Sequence, residues 1–126
     1  MARQQNLGDS AEWFIGEDKT LPFEIYSDDE TTIEDVTGFT MRWVLRKRKD
    51  DDAILLDKTT GAASITITGS YNADPDTNTQ RVNVIVADTD TEFFQPGRYY
   101  HTLKRTDAGL ATVLSYGDVH LKKAGL

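Results

Sequence analysis

Short-range alternation of apolar and polar residues, broken by turn residues every dozen positions or so, constrains this chain more than any other feature. From Phe39 to Leu45 the odd positions are Phe39, Met41, Trp43 and Leu45, while Thr40 and Arg42 between them are polar. Period two is the signature of a strand with one face buried. Ser64-Ile65-Thr66-Ile67-Thr68 alternates in the same way and stops at Gly69. Arg81 to Val86 sets Val82, Val84 and Val86 against Arg81 and Asn83, with Ile85 interrupting the polar side. Two apolar faces predict a strand near the middle of the sandwich. Leu21, Phe23 and Ile25 alternate around Pro22. Proline cannot donate to a ladder, so this run belongs on an edge. Ala53 to Leu56 is the expected hairpin partner of the Phe39–Leu45 strand, across the charged turn Arg46 to Asp52. Pro96-Gly97 turns into a strand over 98–105, and Thr106 to Gly109 is a hairpin loop. Leu110 to Tyr116 pairs back, Gly117 marks a bend or bulge, and Val119 and Leu121 carry the last strand.

These signals predict an all-β fold, an immunoglobulin-like antiparallel β-sandwich of about seven to eight strands. One short helical turn is expected near residues 88–94, where Asp88-Thr89-Asp90 supplies an acidic first turn and Asp88 or Thr89 a cap. At 126 residues the chain suits one domain. Residues 1–12 read as a polar N-terminal arm, mobile by itself, and 13–126 as the single sandwich domain. No apolar run approaches the roughly 20 residues of a membrane-spanning helix, and none follows the N-terminus to make a secretory leader. Zero cysteines exclude a disulfide scaffold, cysteine-ligated zinc and thiol catalysis. A net charge of −7 argues against a nucleic-acid partner, and nothing points to a membrane one.

Catalytic signatures are sparse. His101 alternates with Tyr99 and Leu103 and should face inward, whereas His120 is out of phase with Val119 and Leu121 and should face solvent. No serine sits in a Gly-x-Ser-x-Gly elbow, and Gly16-Glu17-Asp18-Lys19-Thr20 lacks the glycine spacing of a phosphate loop. The reading is therefore not an enzyme, with no cofactor. Asp74-Pro75-Asp76 opens like a calcium loop, yet Thr79 and Ile85 stand where an EF-hand needs Gly and Glu. A calcium ion at Asp74 and Asp76, or at Asp88 and Asp90, is a minor alternative to plain solvated turns.

Interface candidates come from charge and aromatics. Arg46-Lys47-Arg48-Lys49 is the one basic run, read either as a solvated strand end or as a docking patch for a protein, with Arg46 and Arg48 singled out. Trp13-Phe14-Ile15 is either a first core strand or an anchor on another subunit. Phe23, Phe39, Trp43 and Tyr99 are in phase with aliphatic neighbours and read as core. Tyr71, Tyr100 and Tyr116 are candidates for stacking on sugar rings, which would make the chain a carbohydrate or host-surface binding module.

Four segments carry a resemblance: Gly16 to Phe23, Asp35 to Trp43, Gln95 to Leu103 and Tyr116 to Leu121. Their order resembles the immunoglobulin-like domains of tailed-phage baseplate, tail-adaptor and capsid-associated proteins. In those, an Asp-(Leu/Val)-Thr-Gly turn leads to a strand with a large inward aromatic, and an acidic segment precedes Pro-Gly-x-Tyr. The resemblance implies a non-enzymatic structural protein of the virion, a capsid decoration or cement protein or a tail or baseplate adaptor. It implies manufacture in the bacterial host cytoplasm, with other virion proteins and copies of itself as partners. Tyr100 lies in the matching Pro-Gly-x-Tyr-Tyr segment and joins the interface candidates. The arm and Trp13-Phe14-Ile15 would then exchange with a neighbour by strand addition.

Overall fold

The alternating segments pair into two sheets in the computed structural model, which describes residues 2–9 and 12–125. Among them are the strands β1 (Arg3–Gln4), β2 (Trp13–Phe14), β3 (Lys19–Phe23), β4 (Met41–Arg46), β5 (Leu56–Thr59), β6 (Ile65–Thr68), β7 (Arg81–Val86), β8 (Gly97–Arg105) and β9 (Thr112–Lys122). One helical turn, α1 (Asp88–Thr91), joins β7 to β8. The larger sheet has six strands, in the order β1-β9-β8-β4-β5 with β2 also on β9, and the smaller has the order β3-β7-β6. Packed face to face, they make an all-β sandwich.

Inward positions follow the alternation. β4 sends in Met41, Trp43 and Leu45, β8 sends in Tyr99, His101 and Leu103, and β9 sends in Val119 and Leu121. The smaller sheet answers with Leu21 and Phe23, Ile65, and Val82, Val84 and Val86. Each such apolar side chain contributes roughly 1.5–3 kcal/mol by leaving water. Phe39 is half-buried, packs on this core and lies beneath the Arg105 guanidinium at 3.6 Å. β7 is central in its sheet and β3 is at an edge, as Ile85 and Pro22 imply. Ile85 nevertheless remains 42% exposed, on the outer face of the three-stranded sheet.

Three local expectations are corrected. The partner of β4 starts at Leu56 and not at Ala53, because Leu45 pairs with Leu56, while Ile54 and Leu55 are left exposed in the loop. β9 runs unbroken through Gly117, and the bulge falls earlier on the same strand, at Leu114, where Leu103 and Lys104 of β8 pair with Ser115 and Val113. The residue that caps α1 is Ala87, which has no capping side chain; Asp90 Oδ2 instead accepts the Ala87 amide at 2.8 Å.

The largest correction concerns the N-terminus. Residues 3–7 are not a free arm: they run parallel to β9, with Arg3 beside Ser115, Gln4 beside Tyr116 and Leu7 bridging to Val119. Positions 1, 10 and 11 of the expected arm lie outside the described residues. The amides of Gln5 and Leu7 donate to the carbonyls of Tyr116 (2.7 Å) and Asp118 (2.8 Å), and the His120 amide donates to Leu7 (2.8 Å). β2 continues the same edge, with Trp13 beside Leu121. Leu7 is only 8% exposed and belongs to the core. Leu7→Ala is therefore expected to destabilise the fold by about 2–3 kcal/mol in urea titration; an unchanged midpoint would mean that the segment is undocked in solution.

Candidate functional site

The outer face of the six-stranded sheet gathers positive charge because of how β4 and β8 are phased. With Met41, Trp43 and Leu45 turned inward, Arg42, Val44 and Arg46 must turn outward. Register then sets Arg42 opposite Lys104, Val44 opposite Thr102, and Arg46 opposite Tyr100. These residues other than Tyr100, together with Val113, line a shallow hollow of about 320 Å³. A second hollow of about 370 Å³ adjoins the end of β4 and is lined by Lys47, Arg48, Lys49, Arg98, Tyr99, Tyr100 and Asp118.

The charges on this face are unevenly satisfied. Asp57 on β5 takes Arg42 in a two-pronged contact, Nε to Oδ1 at 2.9 Å and Nη2 to Oδ2 at 2.7 Å. The hydrogen bonds and the opposite charge hold the Asp57 carboxyl below the usual carboxylate range and raise Arg42 further. Both side chains are well exposed, so solvent screens most of that gain. Lys47 Nζ sits 4.2 Å above the Tyr99 ring and donates to the Arg98 carbonyl. Arg98 and His120 both approach Asp9, at 3.7 and 3.5 Å. Arg46, Arg48, Lys49 and Lys104 make no ion pair among the described residues. Like charges directly opposite on a sheet, as Arg42 and Lys104 are, repel.

Of the interface candidates named from the sequence, Arg46, Arg48 and Tyr100 come together here. Burial first, and then Tyr116 and Asp118, raise the Tyr100 hydroxyl above its ordinary pKa. Trp13 does not join them. It is completely buried, with Nε1 unpartnered among the described residues, beside a cavity of about 150 Å³ that it lines with Leu7 and Leu21. The indole is enclosed by its own chain here, as the core-strand reading of Trp13 expects. Phe14 and Ile15 are half-buried. Ile15 packs on the core and lines a separate hollow of about 360 Å³ with Phe93, Phe94 and Pro96. Phe93 is 88% exposed, and sequence reasoning passed over it. The signal was the Phe93-Phe94 doublet after a single helical turn, where only one ring can reach the core; Phe94 does, stacking on Tyr99 at 5.6 Å.

The Tyr71 hydroxyl is engaged within the loops, donating to the Ile33 carbonyl. Tyr100 and Tyr116 are diagonal neighbours on the cationic face. The acidic candidates are engaged as turn braces. Asp74 Oδ1 accepts the Asp76 amide, Asp88 Oδ1 accepts the Thr89 amide, and Asp90 Oδ2 accepts Lys58 Nζ at 2.6 Å. No group of three or more acidic or histidine side chains is placed to hold a metal among the described residues.

His101 is fully buried, and both ring nitrogens are used. Trp43 Nε1 donates to Nδ1 at 3.2 Å, and Nε2 lies 2.7 Å from the Gln5 carbonyl. Because indole can only donate, Nδ1 must accept, and the proton sits on Nε2 pointing at Gln5. The imidazole thus ties the N-terminal segment to the core. His120, at the rim, is half-buried.

No helix among the described residues is long and apolar enough to cross a membrane. A scan against protein-family models finds no match to this chain, and a search of curated proteins likewise finds none.

Proposed function

We propose that this chain is a non-enzymatic structural protein of a tailed-phage virion, an immunoglobulin-like domain made in the host cytoplasm. It attaches as a capsid decoration protein or as a tail or baseplate adaptor, by protein contacts through the face built on β4 and β8. The observation that carries the docking is charge segregation. In a chain of net charge −7, seven of the 14 Lys and Arg residues (Arg42, Arg46, Lys47, Arg48, Lys49, Arg98 and Lys104) lie on this face or its rim. Charge concentrated on one face steers a partner and sets its register. The segments that resemble phage virion domains lie on the sandwich frame: they contain β3, the first half of β4, most of β8, and the middle of β9.

Mass spectrometry of gradient-purified particles of the phage that encodes the chain is expected to find it in many copies. Arg46→Glu with Arg48→Glu, both at outward or rim positions, should leave a folded protein that no longer purifies with the particles. Particles that lack the wild-type chain would overturn the virion reading, and normal attachment of the variant would overturn the docking face.

A further inference from the structure

We propose that the cationic face docks the acidic loop end of a second copy of this chain, a partner assignment that rests on the docking reading above. The segments 24–35 and 69–80 carry eight carboxylates and not one Lys or Arg. They form a single surface: the Ile33 amide donates to the Ala73 carbonyl at 2.9 Å, and Asn78 Nδ2 donates to Glu24 at 3.0 Å. Arg81 neutralises Glu24. Asp29 accepts the Thr32 and Thr31 amides, which lower its pKa to about 2 and keep it charged.

Topology puts this acidic surface and the basic hollow lined by Lys47, Arg48, Lys49 and Arg98 at opposite ends of the same strands. The acidic loops follow β3 and precede β7, where residues 36–40 lead into the start of β4; Arg46 to Lys49 lie at its far end. Six residues of strand separate the two poles by about 20 Å. One chain cannot bring them together, but copies stacked along the β4 direction can. Arg46, Arg48 and Lys49 at the far end, which make no ion pair among the described residues, gain a counter-charge when acid loops arrive. The contact is head-to-tail, so repetition yields a ring if the rotation closes and a filament if it does not.

The test is light scattering after gel filtration, with two charge-reversed forms. At about 20 mM salt the wild-type mass should rise with concentration above the 14.1 kDa monomer, and at about 0.5 M salt it should return to it. Arg46→Glu with Arg48→Glu should be monomeric alone, as should Asp74→Lys with Asp76→Lys. Mixed in equal amounts, each form meets the reversed pole of the other, and association should return, which also shows that both are folded. A monomer at every salt, or association that neither reversal weakens, overturns the proposal. If the wild-type chain stays monomeric while the Arg46 and Arg48 variant still loses its place on particles, the docking face stands and only the partner is wrong. If attachment also survives that variant, the docking reading falls with it.

Discussion

Acidification from pH 7 to pH 4 is expected to remove about 3 kcal/mol of folding stability through His101 alone. Burial lowers this imidazole from the ordinary 6.5 to about 4, only partly offset by the bond to the Gln5 carbonyl and the charge of Asp118. The unfolded chain therefore takes up a proton near pH 6.5 that the folded one refuses until about pH 4. In that window the unfolded state binds more protons, so stability falls as pH falls; the contribution is fully present above the window and gone below it. The geometry explains the refusal. A second proton on the ring would go to Nδ1, which faces the Trp43 N–H, and would set donor against donor in a dry site. Asp29 and Asp35, held low by their threonine partners, act at still lower pH, below the ordinary carboxylate value of 3.8. Urea titrations at intervals of half a pH unit check the slope. His101→Gln should be less stable at pH 7 and should lose most of the dependence between pH 6.5 and 4. Equal wild-type stability at pH 7 and 4.5 would contradict a neutral buried imidazole.

Gly117→Ala should detach the N-terminal segment at a cost of about 3 kcal/mol. A methyl group at this position would collide with the Gln5 carbonyl oxygen and meet Asn6 Oδ1 at 2.9 Å, too close for either to stay. Gly8 meets the same limit from the other side, since a Cβ there would collide with the His120 carbonyl oxygen. Moving Gln5 away breaks the hydrogen bond its amide donates to the Tyr116 carbonyl and strips His101 of its acceptor. Asn6 also lets go of the Asp118 amide, which its side chain accepts at 3.1 Å. Hydrogen exchange should show the amides of Gln5 and Leu7 losing protection while those of β4 and β7 keep theirs. A cycle with a chain lacking residues 2–9 isolates the cause: in that background Gly117→Ala should cost only the backbone strain of its φ of 157°. An equal cost in both backgrounds would show that the clash with the segment is not what the glycine avoids.

The strands legible in the sequence were those in which a buried face leaves a side-chain pattern. β4, β6 and β7 read directly from alternation, and Pro22 placed β3 at an edge because its missing N–H is a local fact. The Thr106–Gly109 loop set the β8–β9 hairpin because turn chemistry is local too. The inward phase of His101 was readable from Tyr99 and Leu103. Less legible was the apolar run Ala53 to Leu56, since hydrophobicity does not say which residues the partner strand will pair; the register with Leu45 did.

Alternation and turns thus determined by themselves that the chain is a β-sandwich, which side of β4 is buried, and hence that Arg42 and Arg46 point outward. Only the tertiary structure decided what those cations meet. The Arg42–Lys104 opposition and the two hollows arise from pairing between strands some 60 residues apart, which no local pattern encodes. The N-terminal segment is the other case. Arg3 to Asn6 is polar throughout, and its place was chosen by main-chain hydrogen bonds to the open edge of β9, where every residue type except proline offers the same N–H and C=O groups.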